Sequence, residues 1–167
     1  MRLAVADLKA LSRAARSLGT SQAAKLSAMM RRRQPGFCSM VDFVRTDPRC
    51  RNAYSFCVFF CALAFKHAED TAGHRLPQCP ESSFRTAAGW MAQGCDAALG
   101  QNSQGCRERI RRHVLPRATF DEDDTEWLCT TISAFLFVVT RSARVLPRAA
   151  PGTPRRLRAC EETPHKL

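Results

Sequence analysis

The thirteen residues from Ala53 to Phe65 include no charged side chain, and four of them are phenylalanine. This run limits the fold more than any other feature of the chain. A membrane span needs about 20 consecutive apolar residues, and here Lys66 and Asp70 close one end early. A helix that is apolar all round but too short to span is the centre of a globular bundle. The sequence therefore predicts a buried central helix over about 53–67. A second run, "WLCTTISAFLFVV" from Trp127 to Val139, is equally long and lies between Glu126 and Arg141. Core packing is the favoured reading. A membrane contact through 127–146, with Arg141 and Arg144 reaching back to the interface, is the alternative.

The remaining chain also reads as helix. Ala4, Leu8, Leu11, Ala15 and Leu18 recur at helical spacing over 3–18 and give a one-faced helix that stops at Gly19. Thr20 or Ser21 is placed to cap a second helix through Met30. "RRRQPG" breaks the chain, and a short third helix follows from Phe37 to Val44. Ser82 or Ser83 caps a helix from Phe84 to Leu99. "CRERIRRHVL" is a short basic helix. "FDEDDTEW" gathers carboxylates at the start of a helix from Asp124 to Arg144, where the helix dipole favours them. No stretch suggests a strand. The expected fold is all-α, a single domain of six to eight helices over 1–146. The Pro-rich, basic, aperiodic segment 147–167 is expected to be a disordered tail.

The chain has 167 residues, 45% of them hydrophobic, which suffices for one domain with its own core. A net charge of +11 favours an acidic partner: nucleic acid, an anionic membrane or an acidic peptide. Only Lys9, Lys25, Lys66 and Lys166 are lysines, so the positive charge is mostly arginine. No cleavable secretory signal is visible, and the nine cysteines therefore read as reduced thiols of an intracellular protein. A mitochondrial presequence is compatible with the basic start.

Catalytic chemistry finds little support. Cys57 and Cys61 lie one helical turn apart, but no second pair completes a zinc site, so they read as small buried hydrophobes. Nothing fixes a nucleophile–base geometry between any cysteine and His67, His74 or His113. There is no nucleophile elbow, phosphate-binding Gly loop or H-E-x-x-H. Four consecutive acids cannot all face one point on a helix, so "DEDD" is not a nuclease site. The sequence is read as non-enzymatic and without a cofactor. "RERIRRH" lacks interleaved aromatics, so it reads as a solvated basic face, and a nucleic-acid partner is not expected.

The order of elements resembles the B-cell-lymphoma (Bcl) family of apoptosis regulators over about residues 5–146. "SSFRTAAGWMAQGC" is similar to that family's sixth helix. "LGQNSQGCRERI" is similar to its second homology motif through Gln101, Asn102 and Gly105, with Cys106 where Trp is usual. "RCRNAYSFCVFFCALAFKH" resembles the first homology motif and central helix, with "RCRN" in place of "NWGR". "LKALSRAARSL" carries the leucine of the third motif as Leu8, with Ser12 and Arg13 at its Gly-Asp pair.

The resemblance implies a pro-survival protein, suited to a viral member, in the cytoplasm or at the mitochondrial outer membrane. It would take amphipathic helices of pro-apoptotic relatives into an apolar groove. The groove floor would be Tyr54, Phe56 and Cys57, and one wall Met40, Val41 and Val44. In the family, the arginine of "NWGR" pairs with the ligand's aspartate. Here Asn52 stands in its place, and Arg49 and Arg51 are the cations at hand. Two other readings fit the same residues: a non-enzymatic subunit of a mitochondrial or ribonucleoprotein assembly, and a Bcl-fold viral inhibitor of inflammatory signalling.

Overall fold

A computed structural model describes residues 5–43, 50–93, 103–115 and 120–145. The described residues form seven helices and no strand: α1 (Val5–Arg16), α2 (Thr20–Arg33), α3 (Pro35–Val41), α4 (Arg51–Ala72), α5 (Glu81–Ala92), α6 (Ser103–His113) and α7 (Glu122–Val145). The chain is thus an all-α bundle. Val44, Arg49, Gln101, Asn102 and the segment 147–167 lie outside the described residues.

The apolar stripe of α1 faces inward. Leu8 and Ala15 are buried and Leu11 is half-buried, while Lys9 and Arg13 face solvent. Ser12 falls on the same buried face, and its hydroxyl donates to the Val114 carbonyl at 2.6 Å, which satisfies it. Arg16 donates to the same carbonyl at 2.6 Å, tying α1 to the end of α6.

Several helix ends differ from the sequence expectation. Gly19, and not Thr20 or Ser21, caps α2 in extended conformation, with no side-chain cap bond. The helix runs past Met30 to Arg33, because Arg31 bonds Asp42 and Arg33 pairs with Glu69. Gln34 then turns the chain. It is fully buried, its amide donating to Pro77 O at 2.7 Å and its carbonyl oxygen accepting from Cys79 N at 3.0 Å. α3 begins at Pro35, whose missing N–H suits the first helical position, two residues before the expected Phe37. α4 runs from Arg51 to Ala72, beyond the expected 53–67, and is closed by Gly73 at φ +71° with its N–H on Glu69 O at 2.9 Å. α5 starts at Glu81 after Pro80, ahead of the expected caps Ser82 and Ser83. α7 is capped by Asp121, whose carboxylate accepts the Asp124 N–H at 2.7 Å.

α4 packs against α1, α2 and α7, and α7 packs in turn against α4, α5 and α6. The centre is therefore shared by the two apolar runs. Ala53, Phe60, Cys61, Ala62 and Phe65 of α4 are sealed from solvent, as are Leu128, Ile132, Ala134 and Phe135 of α7. The run 127–139 lies in the bundle interior, and among the described residues no helix is long and apolar enough to cross a membrane. Three rings join α3, α5 and α7: Phe37 meets Phe135 edge-on at 4.6 Å and Phe84 at 5.5 Å, and Phe84 stacks on Phe135 at 5.9 Å.

Candidate functional site

The expected groove residues separate into two groups. Met40, Val41, Phe56 and Cys57 are buried. The Phe56 ring stacks on Phe60 at 6.0 Å, meets Phe120 at 5.5 Å and carries the Arg16 guanidinium 5.3 Å above its centroid. Arg51 and Asn52 are exposed on the first turn of α4, and Tyr54 is half-buried. Only the second group offers a surface in this conformation.

Tyr54 is held at a corner where α2, the end of α3 and the start of α4 meet. Asp42, just after α3, receives both guanidinium nitrogens of Arg31 at 2.8 and 3.1 Å. The Tyr54 hydroxyl donates to Asp42 Oδ1 at 2.8 Å and accepts from Arg31 Nη2 at 3.1 Å. The next residue, Phe43, is 64% exposed, the sole large apolar side chain so open among the described residues. Arg31, Asp42, Phe43 and Arg16 were not among the residues expected at the site. A signal for one of them was present: Asp42 is the single carboxylate between Asp7 and Asp47, in a strongly basic stretch.

Burial and the bond to the Asp42 carboxylate push the Tyr54 phenol up to about 12. Tyr54 is the chain's one tyrosine, so its ionisation can be followed by near-ultraviolet absorbance without overlap. The folded value lies above the unfolded value of about 10. The corresponding stability is therefore complete below about pH 10 and is lost as pH rises through about 12. The expected result is a native midpoint well above that of the urea-unfolded chain. Coincident midpoints would show that the Asp42–Tyr54 clasp does not form.

The thiols behave as buried apolar groups. Burial pushes Cys38 up to about 11, and burial with the bond to Cys57 raises Cys61 well above the ordinary thiol range. Metal ligation needs thiolate, which these surroundings disfavour. Five of the seven described cysteines are buried, and among the described residues no group of three or more His, Cys, Asp or Glu is arranged to hold a metal ion.

Three of the four arginines of "RERIRRH" are paired with carboxylates. Arg107 pairs with Glu126, Arg111 bonds Glu122 at 3.0 Å and Glu126 at 3.3 Å, and Arg112 bonds Glu108 at 3.0 Å. The Glu122 bond raises the Arg111 guanidinium further. The acids at the start of α7 thus serve two purposes: Asp121 caps the helix, and Glu122 with Glu126 fastens α6 to it. Comparison with protein-family models, curated proteins and solved structures finds no match for this chain.

Proposed function

We propose that the chain is a non-catalytic, pro-survival apoptosis regulator that sequesters amphipathic death-motif helices of pro-apoptotic Bcl-family proteins. The contact lies at the α2–α3–α4 corner, and the protein acts in the cytoplasm or at the mitochondrial outer membrane. One observation carries this reading. The exposed Phe43 follows Asp42, which holds the half-buried Tyr54, and exposed Arg51 and Asn52 stand with Tyr54 on the first turns of α4. An amphipathic helix docks through apolar anchors spaced at three and four residues, with polar contacts at the rim. Phe43 and Tyr54 supply apolar contact, and Arg51 supplies a cation for the ligand's carboxylate. Phe56 and Cys57 are buried, with Phe56 beneath Arg16 and against Phe120, and they take no part in the contact in this conformation.

Calorimetric titration of the full chain with a panel of death-motif peptides tests the proposal. Saturable binding to at least one peptide is expected. Phe43→Ala and Arg51→Glu should each weaken it by about tenfold or more while unfolding stability stays within about 0.5 kcal/mol, as at exposed sites generally. Absence of binding across the panel would refute the proposal.

A further inference from the structure

A second cleft, sharing no residue with that corner, lies between α5, the Pro77–Pro80 segment and the C-terminal half of α7, with a volume of about 520 Å³. We infer that it binds a small amphiphile with an apolar tail and a single carboxylate head, of the medium-chain fatty-acid class. Its size falls within the roughly 300–1,000 Å³ of small-molecule sites.

The tail is argued from the walls. Trp90 and Phe137 meet edge-to-face at 6.5 Å, both half-buried, and Val138 extends the apolar surface. The floor is already satisfied internally: Cys79 Sγ lies 3.2 Å from Ser142 Oγ, and Ser142 Oγ donates to Val138 O at 2.9 Å.

The head is argued from charge. Among the described residues Arg141 is the sole charged side chain lining the cleft. It is exposed and has no hydrogen-bond or ion-pair partner among the described residues. The hydroxyls of Ser82, Ser83 and Thr86 also line the cleft and are likewise unpartnered. A guanidinium beside free hydroxyls suits a carboxylate. One cation balances one negative charge, which favours a carboxylate over a doubly charged phosphate. The 470 Å³ cleft between α6 and α7 differs in this respect, because Arg111 and Arg112 there are already neutralised by Glu122 and Glu108.

The test is calorimetric titration of the full chain with dodecanoate below its micellar concentration, beside dodecanol and acetate. Saturable one-to-one binding of dodecanoate is expected, with dodecanol weaker by about tenfold or more and acetate not bound, since a charge-assisted bond is worth at least that factor. Arg141→Gln, an exposed and unpaired site, should retain the native circular dichroism. It should lower dodecanoate affinity by about tenfold or more and leave dodecanol unchanged. Thr86→Trp, which fills the cleft, should abolish both. No saturable binding, equal binding of dodecanol, or an Arg141→Gln protein that binds dodecanoate normally would each overturn the inference. So would binding of an aromatic peptide with a free C-terminal carboxylate where dodecanoate does not bind, which would give the cleft to a protein partner.

Discussion

Phe135→Ala is expected to destabilise the bundle by about 3–5 kcal/mol, the cost of truncating a large buried ring and leaving a cavity. The ring is sealed from solvent and touches Phe37 from α3 and Phe84 from α5. Its loss removes contacts on both sides at once, and aromatic pairs add about 0.5–1.5 kcal/mol each beyond the buried area. Whole domains of this kind are stable by only about 5–15 kcal/mol. The variant should therefore unfold at much lower urea concentration with an unchanged slope. Phe43→Ala is the control, because that ring is 64% exposed and its truncation should move stability by less than about 0.5 kcal/mol. Equal effects of the two truncations would show that the three-ring cluster is not core.

The second large effect concerns one methyl group. A Cβ on Gly36 would lie 2.5 Å from Glu81 N, 2.6 Å from Cys79 O and 2.8 Å from Pro80 C. All three are backbone atoms, so no side chain can rotate away. In a helix, alanine ordinarily gains about 1 kcal/mol over glycine. At Gly36 overpacking should outweigh that gain and leave a net loss of about 1–3 kcal/mol. Gly89, in α5, offers the opposite case: a Cβ there meets nothing within 4 Å. Gly89→Ala should stabilise by about 0.5–1 kcal/mol. The same substitution thus changes sign between two helical glycines, which thermal or urea unfolding of both variants would measure. A stabilised Gly36→Ala protein would mean that α3 does not lie against the Cys79–Glu81 backbone.

The helices were legible because their signal is local. The two charge-free runs, each closed by charged residues, marked α4 and α7 as buried, and the three- and four-residue spacing of Leu8, Leu11 and Ala15 marked the inner face of α1. The candidate site was legible only in part. The resemblance of "RCRNAYSF" to the family's first homology motif drew attention to Arg51, Asn52 and Tyr54. Nothing local showed that Phe56 and Cys57 lie beneath covering side chains, because burial at one helix end depends on what packs over it. Arg16 covers Phe56 from forty residues away in sequence.

The sequence by itself determined that this chain is an all-helical bundle built round two apolar runs, because burying charge-free helical surface has few solutions. Only the tertiary structure decided the partners of its polar groups. Gln34, in a stretch that reads as a surface break, is fully buried because Pro77 and Cys79 supply its hydrogen bonds. Arg111, on a basic stretch, is bound by Glu122 and Glu126, which lie eleven and fifteen residues on. Arg141 lines an apolar cleft and has no partner among the described residues. The physical reason is one of range. Helical periodicity carries information over three or four residues, whereas a hydrogen bond or ion pair is specified by a donor and an acceptor that meet only once the helices have packed.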